Sequence, residues 1–180
     1  MTVRSPDPVQ EARAYQDLLL SLLGDDDPAA VQAETLGGLQ GTIARAGEEL
    51  HTSPAKGEWS VWGCLAHVVD AELVASGRYR FILAGGRPTL PGYDQDLWVA
   101  KAHFPDESPD QLLAIWQPLR EANIRLWQRS SSEDRDRVGI HEERGPESYD
   151  LTFRMLAGHD RFHLDQMRRT IAAIRGQSES

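Results

Sequence analysis

WSVWGCLAHVVDAEL, residues 59–73, carries apolar side chains on both faces of the helix that its pattern implies. One stripe reads Trp62, Leu65, Val69 and Leu73, and the opposite side, around His67, reads Gly63, Cys64, Ala71 and Val74. A helix that is apolar all round is buried among neighbours rather than laid on a surface, so this stretch implies a helical bundle. Ser60 is a good N-cap, and the pattern predicts a helix from about Val61 to Leu83. The small residues beside His67 leave room for a cavity next to an imidazole.

Downstream, GHDRFHLDQM (158–167) places His159 and His163 four residues apart. Side chains at i and i+4 share a helix face with their Cβ atoms about 6 Å apart, so both imidazoles can grip one ion. The surrounding pattern predicts a last helix from about Tyr149 to Arg175. Its inward side holds Thr152, Met155, His159, Phe162, His163, Gln166, Thr170 and Ile174. Taken alone, this histidine pair is compatible with a metal site or with two satisfied core histidines. With His67 supplied by a facing helix, three neutral nitrogens converge and leave coordination positions open. An open three-histidine site is the catalytic pattern for a divalent cation, whereas a closed four-ligand site is the structural one.

The rest of the chain is mainly helical in pattern, with no alternating strand segment. A first helix is predicted from about Pro8 to Leu23, stopped by GDDDP (24–28). Asp27-Pro28 reads as a cap and first turn for a short piece, and Thr35 as the cap of a helix carrying Leu36, Leu39, Ile43 and Leu50. That helix holds Gly37, Gly38, Gly41 and Gly47, each costing about 1 kcal/mol against alanine. Residues 85–107 form a long connection with a short helix around Leu97–Ala102, and Tyr93 and Trp98 are its candidates for a pocket lid. Ser108-Pro109 opens a helix to about Arg129, which Pro118 is expected to kink or split. A polar turn and a loop lead to Ser148.

The chain has 180 residues and reads as a single domain over 1–180. Its formal charge of −9 argues against sequence-independent nucleic-acid binding. The basic stretch RRTIAAIR (168–175) reads as the solvated end of the closing helix. No apolar run approaches the roughly 20 residues of a membrane helix, and the first residues show no apolar signal-peptide core. Cys64 is the only cysteine, so no intramolecular disulfide forms, which fits a cytoplasmic location.

Two motifs carry a family resemblance. WSVxxxLAHxxDxE (59–72) resembles the second-helix signature of DinB/YfiT-like proteins, and HDRxHxxQ (159–166) resembles their fourth-helix signature. Their separation, the PGYDQDLW loop and the RVGIHEERG turn fit the branch called DinB-like, type 2. The resemblance covers about Asp17 to Arg175. It implies an all-α, up-down-down-up four-helix bundle with an extra N-terminal helical segment and a long crossover loop. It also implies a divalent metal, commonly nickel or zinc, on His67, His159 and His163, and a homodimer. Relatives of this kind are metal-dependent hydrolases or transfer low-molecular-weight thiols, so the implied chemistry is hydrolysis or thiol S-transfer on a small-molecule substrate. A thiol co-substrate accompanies the second. One departure is Gly63, where the family carries a Glu that closes a capping box. A weaker helix start and a more open wall near His67 are expected from it.

Other residues are weighed against that centre. Asp70, one turn from His67, is a candidate hydrogen-bond partner for a ligand imidazole or a general base. Gln166 is a candidate for orienting water at the ion. Both are also explained as ordinary charged or core-amide residues. Cys64 reads as a small buried hydrophobe. His141 is a candidate for the pocket rim and His103 a solvated loop residue, while Asp160 and Asp165 are expected to face solvent or pair with Arg161 and Arg168. Three readings remain open: a metal-dependent enzyme, a non-catalytic metal-stabilised stress or small-molecule-binding protein with Asp70 or Cys64 closing the coordination sphere, or a bundle with no metal.

Overall fold

The computed structural model describes residue 6 and residues 10–178. Its helices are α1 (Ala12–Leu23), α2 (Pro28–Ala46), α3 (Val61–Ala84), α4 (Gln95–Lys101), α5 (Pro109–Arg129), α6 (Ser132–Arg135) and α7 (Tyr149–Ser178). Pro8 and Val9, expected in the first helix, lie outside the described residues.

The long helices α2, α3, α5 and α7 form a four-helix bundle. Their directions follow from which residues meet. Along α3 and α5, Glu72 meets Arg120 and Ser76 meets Asn123, so numbers rise together and the helices are parallel. Along α2 and α7, Thr35 meets Asp160 and Glu49, just beyond α2, meets Arg175, so these are parallel too. Across α3 and α7 the order reverses, with Cys64 near His163 and His67 near His159. This is the up-down-down-up order. Two consecutive parallel helices, α3 and α5, require the long crossover through residues 85–108.

Caps account for several helix starts. Ser60 Oγ accepts the Gly63 N–H at 3.1 Å, so α3 is capped although Gly63 cannot close a box. Ser108 and Gln111 form a complete capping box at α5. One helix start differs from expectation. Asp27 and Pro28 open a single helix that runs through Thr35; the Thr35 hydroxyl bonds Val31 O and Asp160 instead of capping a new start. Gly38 does not break α2, because a side chain there would meet Leu164 of α7 at 2.9 Å, and close packing outweighs propensity. Pro118 lies inside α5 without splitting it.

A small sheet, absent from the sequence reading, lies against the bundle. Strand β1 (Thr89–Leu90) pairs in parallel with β2 (Val138–His141), which pairs antiparallel with β3 (Gly145–Ser148). These strands are too short to show alternation, and their pairing is set by the crossover and by the RVGIHEERG turn, which is a hairpin.

The bundle interior is layered. One apolar layer holds Leu39, Leu65, Leu112, Trp116 and Met167. Another holds Tyr79, Trp127, Tyr149 and Phe153, with the Trp127 and Phe153 rings stacked at 4.2 Å. Between them lies a buried polar layer. Arg120 bonds Glu72 at 2.8 Å, makes a two-point ion pair with Asp160 and donates to Gln32 O. Asn123 donates to the second Glu72 oxygen at 2.7 Å. Asp160 thus faces the core and not solvent: burying a carboxylate is tolerable only when paired, and Arg120 supplies the pair. Asp165 is exposed and pairs with Arg169.

Candidate metal centre

His67 on α3 and His159 and His163 on α7 come together in the bundle, all buried. One ring nitrogen from each can be chosen so that the three lie within 4.8 Å of one another. His67 Nε2 and His159 Nε2 are 3.0 Å apart. Two imidazole nitrogens at Zn–N distances from one ion, at 90–109° to each other, are about 3.0–3.4 Å apart, so the donors fit a shared divalent cation.

The electrostatics fit as well. Burial, with His163 nearby, holds His67 well below the usual histidine range. Burial and the two neighbouring imidazoles do the same to His159. Burial lowers His163 to about 4. All three are therefore neutral at pH 7, which is the ligating form. Gln166 Oε1 lies 2.8 Å from His163 Nδ1. A carboxamide oxygen only accepts, so the His163 proton sits on Nδ1 and Nε2 is free to ligate. Gln166 thus orients the His163 imidazole. The Nδ1 atoms of His67 and His159 are buried without a hydrogen-bond partner, so the outer support is complete at His163 alone.

The remaining candidates separate clearly. Asp70 Oδ1 bonds His103 Nε2 at 3.0 Å and no ligand imidazole, and His103 Nδ1 lies 3.2 Å from Glu107. His103 is thus part of a buried link between α3 and the crossover, not a solvated loop residue. Burial raises the Asp70 carboxyl, and the His103 contact opposes it. Cys64 Sγ is 3.8 Å from His163 Nδ1, and burial pushes its thiol up to about 12, so it stays protonated at neutral pH. Among the described residues neither Asp70 nor Cys64 joins the three-histidine cluster. The wall at Gly63 is not open, since Gly63 is buried and Trp59 packs against both it and His67.

A cavity of about 530 Å³ opens beside the centre, with His67 and His159 in its wall. His141 and Tyr93 line it, as a rim and a lid candidate should; Trp98 is one step behind, packed on Tyr93 at 4.7 Å. Tyr15, Arg78, Arg144 and Glu147 also line it, and sequence reasoning missed all four. For Arg78 a signal existed: it lies eleven residues after His67, and three helical turns bring it back to the same face. No helix among the described residues is long and apolar enough to cross a membrane.

Comparison with known proteins agrees with this geometry. The family model described as DinB superfamily matches residues 30–167. An Oceanobacillus iheyensis protein named "Putative metal-dependent hydrolase OB0413" is 27% identical over 65% of this chain and 67% of its own. A Bacillus cereus protein named "Putative metal-dependent hydrolase" is 26% identical over 64% of this chain and 66% of its own length, just under two thirds. In structure, YfiT from Bacillus subtilis, described as "a probable metal-dependent hydrolase with an unusual four-helix bundle topology", aligns with a TM-score of 0.72. That alignment has 17% identity and covers 97% of this chain and 95% of YfiT. The matched region spans α2 through the histidine pair of α7, and with it all three clustered histidines: the chain belongs to the DinB superfamily.

Proposed function

We propose that this protein is a metal-dependent hydrolase acting on a small-molecule ester or amide, with the ion on His67, His159 and His163. The observation that carries the reading is the cavity whose wall includes two of the three ligands. Three protein donors beside an accessible cavity leave room for substrate, the arrangement of catalytic and not structural sites. Nitrogen donors suit zinc or nickel. Held there by His67, His159 and His163, a divalent ion would supply Lewis acidity for polarising a carbonyl and for lowering the pKa of water to about 7.

The chain's own residues supply the rest. Neutral imidazoles leave the cation's charge undiminished, and Gln166 holds the His163 ring in its ligating tautomer. The Trp59 ring packs against the His67 ring, with centroids 4.8 Å apart. The names of the relatives in Oceanobacillus and Bacillus support hydrolysis over thiol transfer.

The test starts with elemental analysis of untagged protein, followed by an assay of the zinc- and nickel-loaded forms on a panel of activated esters and anilides. Stoichiometric metal and turnover, both lost in His159→Ala, are expected. Turnover only when a low-molecular-weight thiol and an electrophile are supplied would replace hydrolysis by thiol transfer. Failure to retain any divalent ion at neutral pH would sink both.

A further inference from the structure

We propose that the cavity beside the histidine centre takes a substrate bearing a carboxylate, held by Arg78 at the end remote from the ligands. The inference rests on the reading of that centre as the reactive end. His67, Ala71, Ala75 and Arg78 fall on one face of α3, and all four line the cavity. The rise between the Cα atoms of His67 and Arg78 is about 16 Å, and the intervening alanines keep the floor flat. The cavity therefore has a metal-ligand end and a guanidinium end on one helix.

Arg78 is half-buried and has no carboxylate within ion-pair distance among the described residues, unlike the neighbouring Arg144. Arg144 is neutralised by Glu147, with contacts of 2.6 and 3.1 Å. Arg78 NH2 donates to Pro91 O at 2.7 Å and to His141 Nε2 at 2.9 Å, both uncharged acceptors. Its Nε is buried with no partner at all. Two guanidiniums share one buried carboxylate, Glu147, which contacts Arg144 and acts on Arg78 only from a distance. The inner wall is left with a net positive charge, and a partly desolvated cation without a carboxylate in contact is a costly arrangement. A planar carboxylate matches the guanidinium fork and completes its hydrogen bonding.

The mouth favours a single negative charge. Glu142, Glu143 and Asp94 line the cavity there, with Glu142 and Glu143 exposed. They repel a dianion such as a phosphate monoester more strongly than they repel a carboxylate. About 530 Å³ holds a compact metabolite-sized molecule, not a polymer.

The test measures binding, not turnover. Suberic acid monohydroxamate offers a metal-gripping head and a carboxylate tail; its methyl ester lacks only the tail charge. Both are titrated calorimetrically into zinc-loaded wild type, Arg78→Met and Arg78→Lys. In parallel, hexanoate and hexanamide are compared on metal-free protein by ligand-observed NMR. The acid is expected to bind wild type at least about tenfold more tightly than the ester, the minimum for a charge-assisted hydrogen bond. That preference disappears in Arg78→Met and partly survives in Arg78→Lys. A strut role for Arg78 between α3 and the sheet would change stability without changing the acid-to-ester ratio. Loss of hydroxamate binding with an Arg78-dependent preference for hexanoate intact would overturn the metal reading and keep this one. Equal binding of charged and neutral probes in wild type, binding of none of them, or a preference that survives in Arg78→Met overturns the carboxylate site; the wild-type comparison stands even if a variant fails to fold.

Discussion

Asp160, one residue after His159 of the histidine cluster, turns its carboxylate into the bundle and pairs at two points with Arg120. Arg120 in turn grips Glu72 on α3, five residues beyond His67. The two helices that carry the histidine cluster are therefore tied through α5 within about one to two turns of it. The polar layer sets the relative height of α3 and α7, and with it the spacing of His67 and His159.

Removing one member of that layer is expected to be severe. Arg120→Met should cost about 3–5 kcal/mol, because it leaves the Glu72 and Asp160 carboxylates buried without their cation, while Asp160→Asn should cost less, because Glu72 still pairs with Arg120. The double variant should lose less than the sum of the singles by at least about 1 kcal/mol, as coupled neighbours do. Urea unfolding of the four proteins measures this cycle, and additive losses would show that the pair does not act as a unit.

Gln166→Ala should leave the fold intact and weaken metal binding by about 10–100-fold, the usual effect of deleting a group that orients a ligand imidazole. Asp70→Asn is the control: Asp70 engages His103 and not a ligand, so its effect on metal affinity should be much smaller. Competition with a chromophoric chelator reads both. A larger loss in Asp70→Asn than in Gln166→Ala would reverse the assignment of supporting residue.

Gly158 sits where α7 meets α1, and a Cβ there would overlap the Leu19 carbonyl oxygen. Alanine ordinarily favours a helix interior by about 1 kcal/mol. Here the backbone clash should win, with a net loss of about 1–3 kcal/mol typical of overpacking. A thermal midpoint for Gly158→Ala at or above that of wild type would mean that α1 is loosely docked.

The division between what was legible and what was not follows range in sequence. Ser60 and Ser108 mark helix starts through contacts three residues away, and His159 and His163 announce a shared face by spacing alone. Asp160 gave no such signal. Its partner, Arg120, is forty residues upstream on another helix, and next to a run of charged residues it resembled a surface position. Strand β1 has two residues and exists only because β2 lies beside it. Asp70 shows the same limit of range: its spacing from His67 suggested a contact between them, while the crossover brought His103 to it instead.

Acid should destabilise the metal-free protein well above the range in which most carboxylates titrate. His163 and His141 are both lowered to about 4, His163 by burial and His141 by burial together with Arg144 and Arg78. His67 and His159 are lowered too. In the unfolded chain each titrates near 6.5, so between that value and the folded pKa the unfolded state binds more protons. Stability is therefore fully present above about pH 7 and falls as pH drops, each histidine contributing up to about 1.4 kcal/mol per pH unit across its window. For His163 and His141 the loss is complete below about pH 4. Glu147, held low by Arg144 against the opposing effect of burial, adds a loss in the same direction at lower pH. Asp70, whose carboxyl is raised, works the other way nearer its own range. Urea midpoints of EDTA-treated protein at pH 7.5, 6.5, 5.5 and 5.0 should decline throughout, more shallowly in His163→Gln. A flat profile over that interval would mean that the histidines are charged, or exposed, in the folded state, and the ligand-ready neutral cluster would not exist.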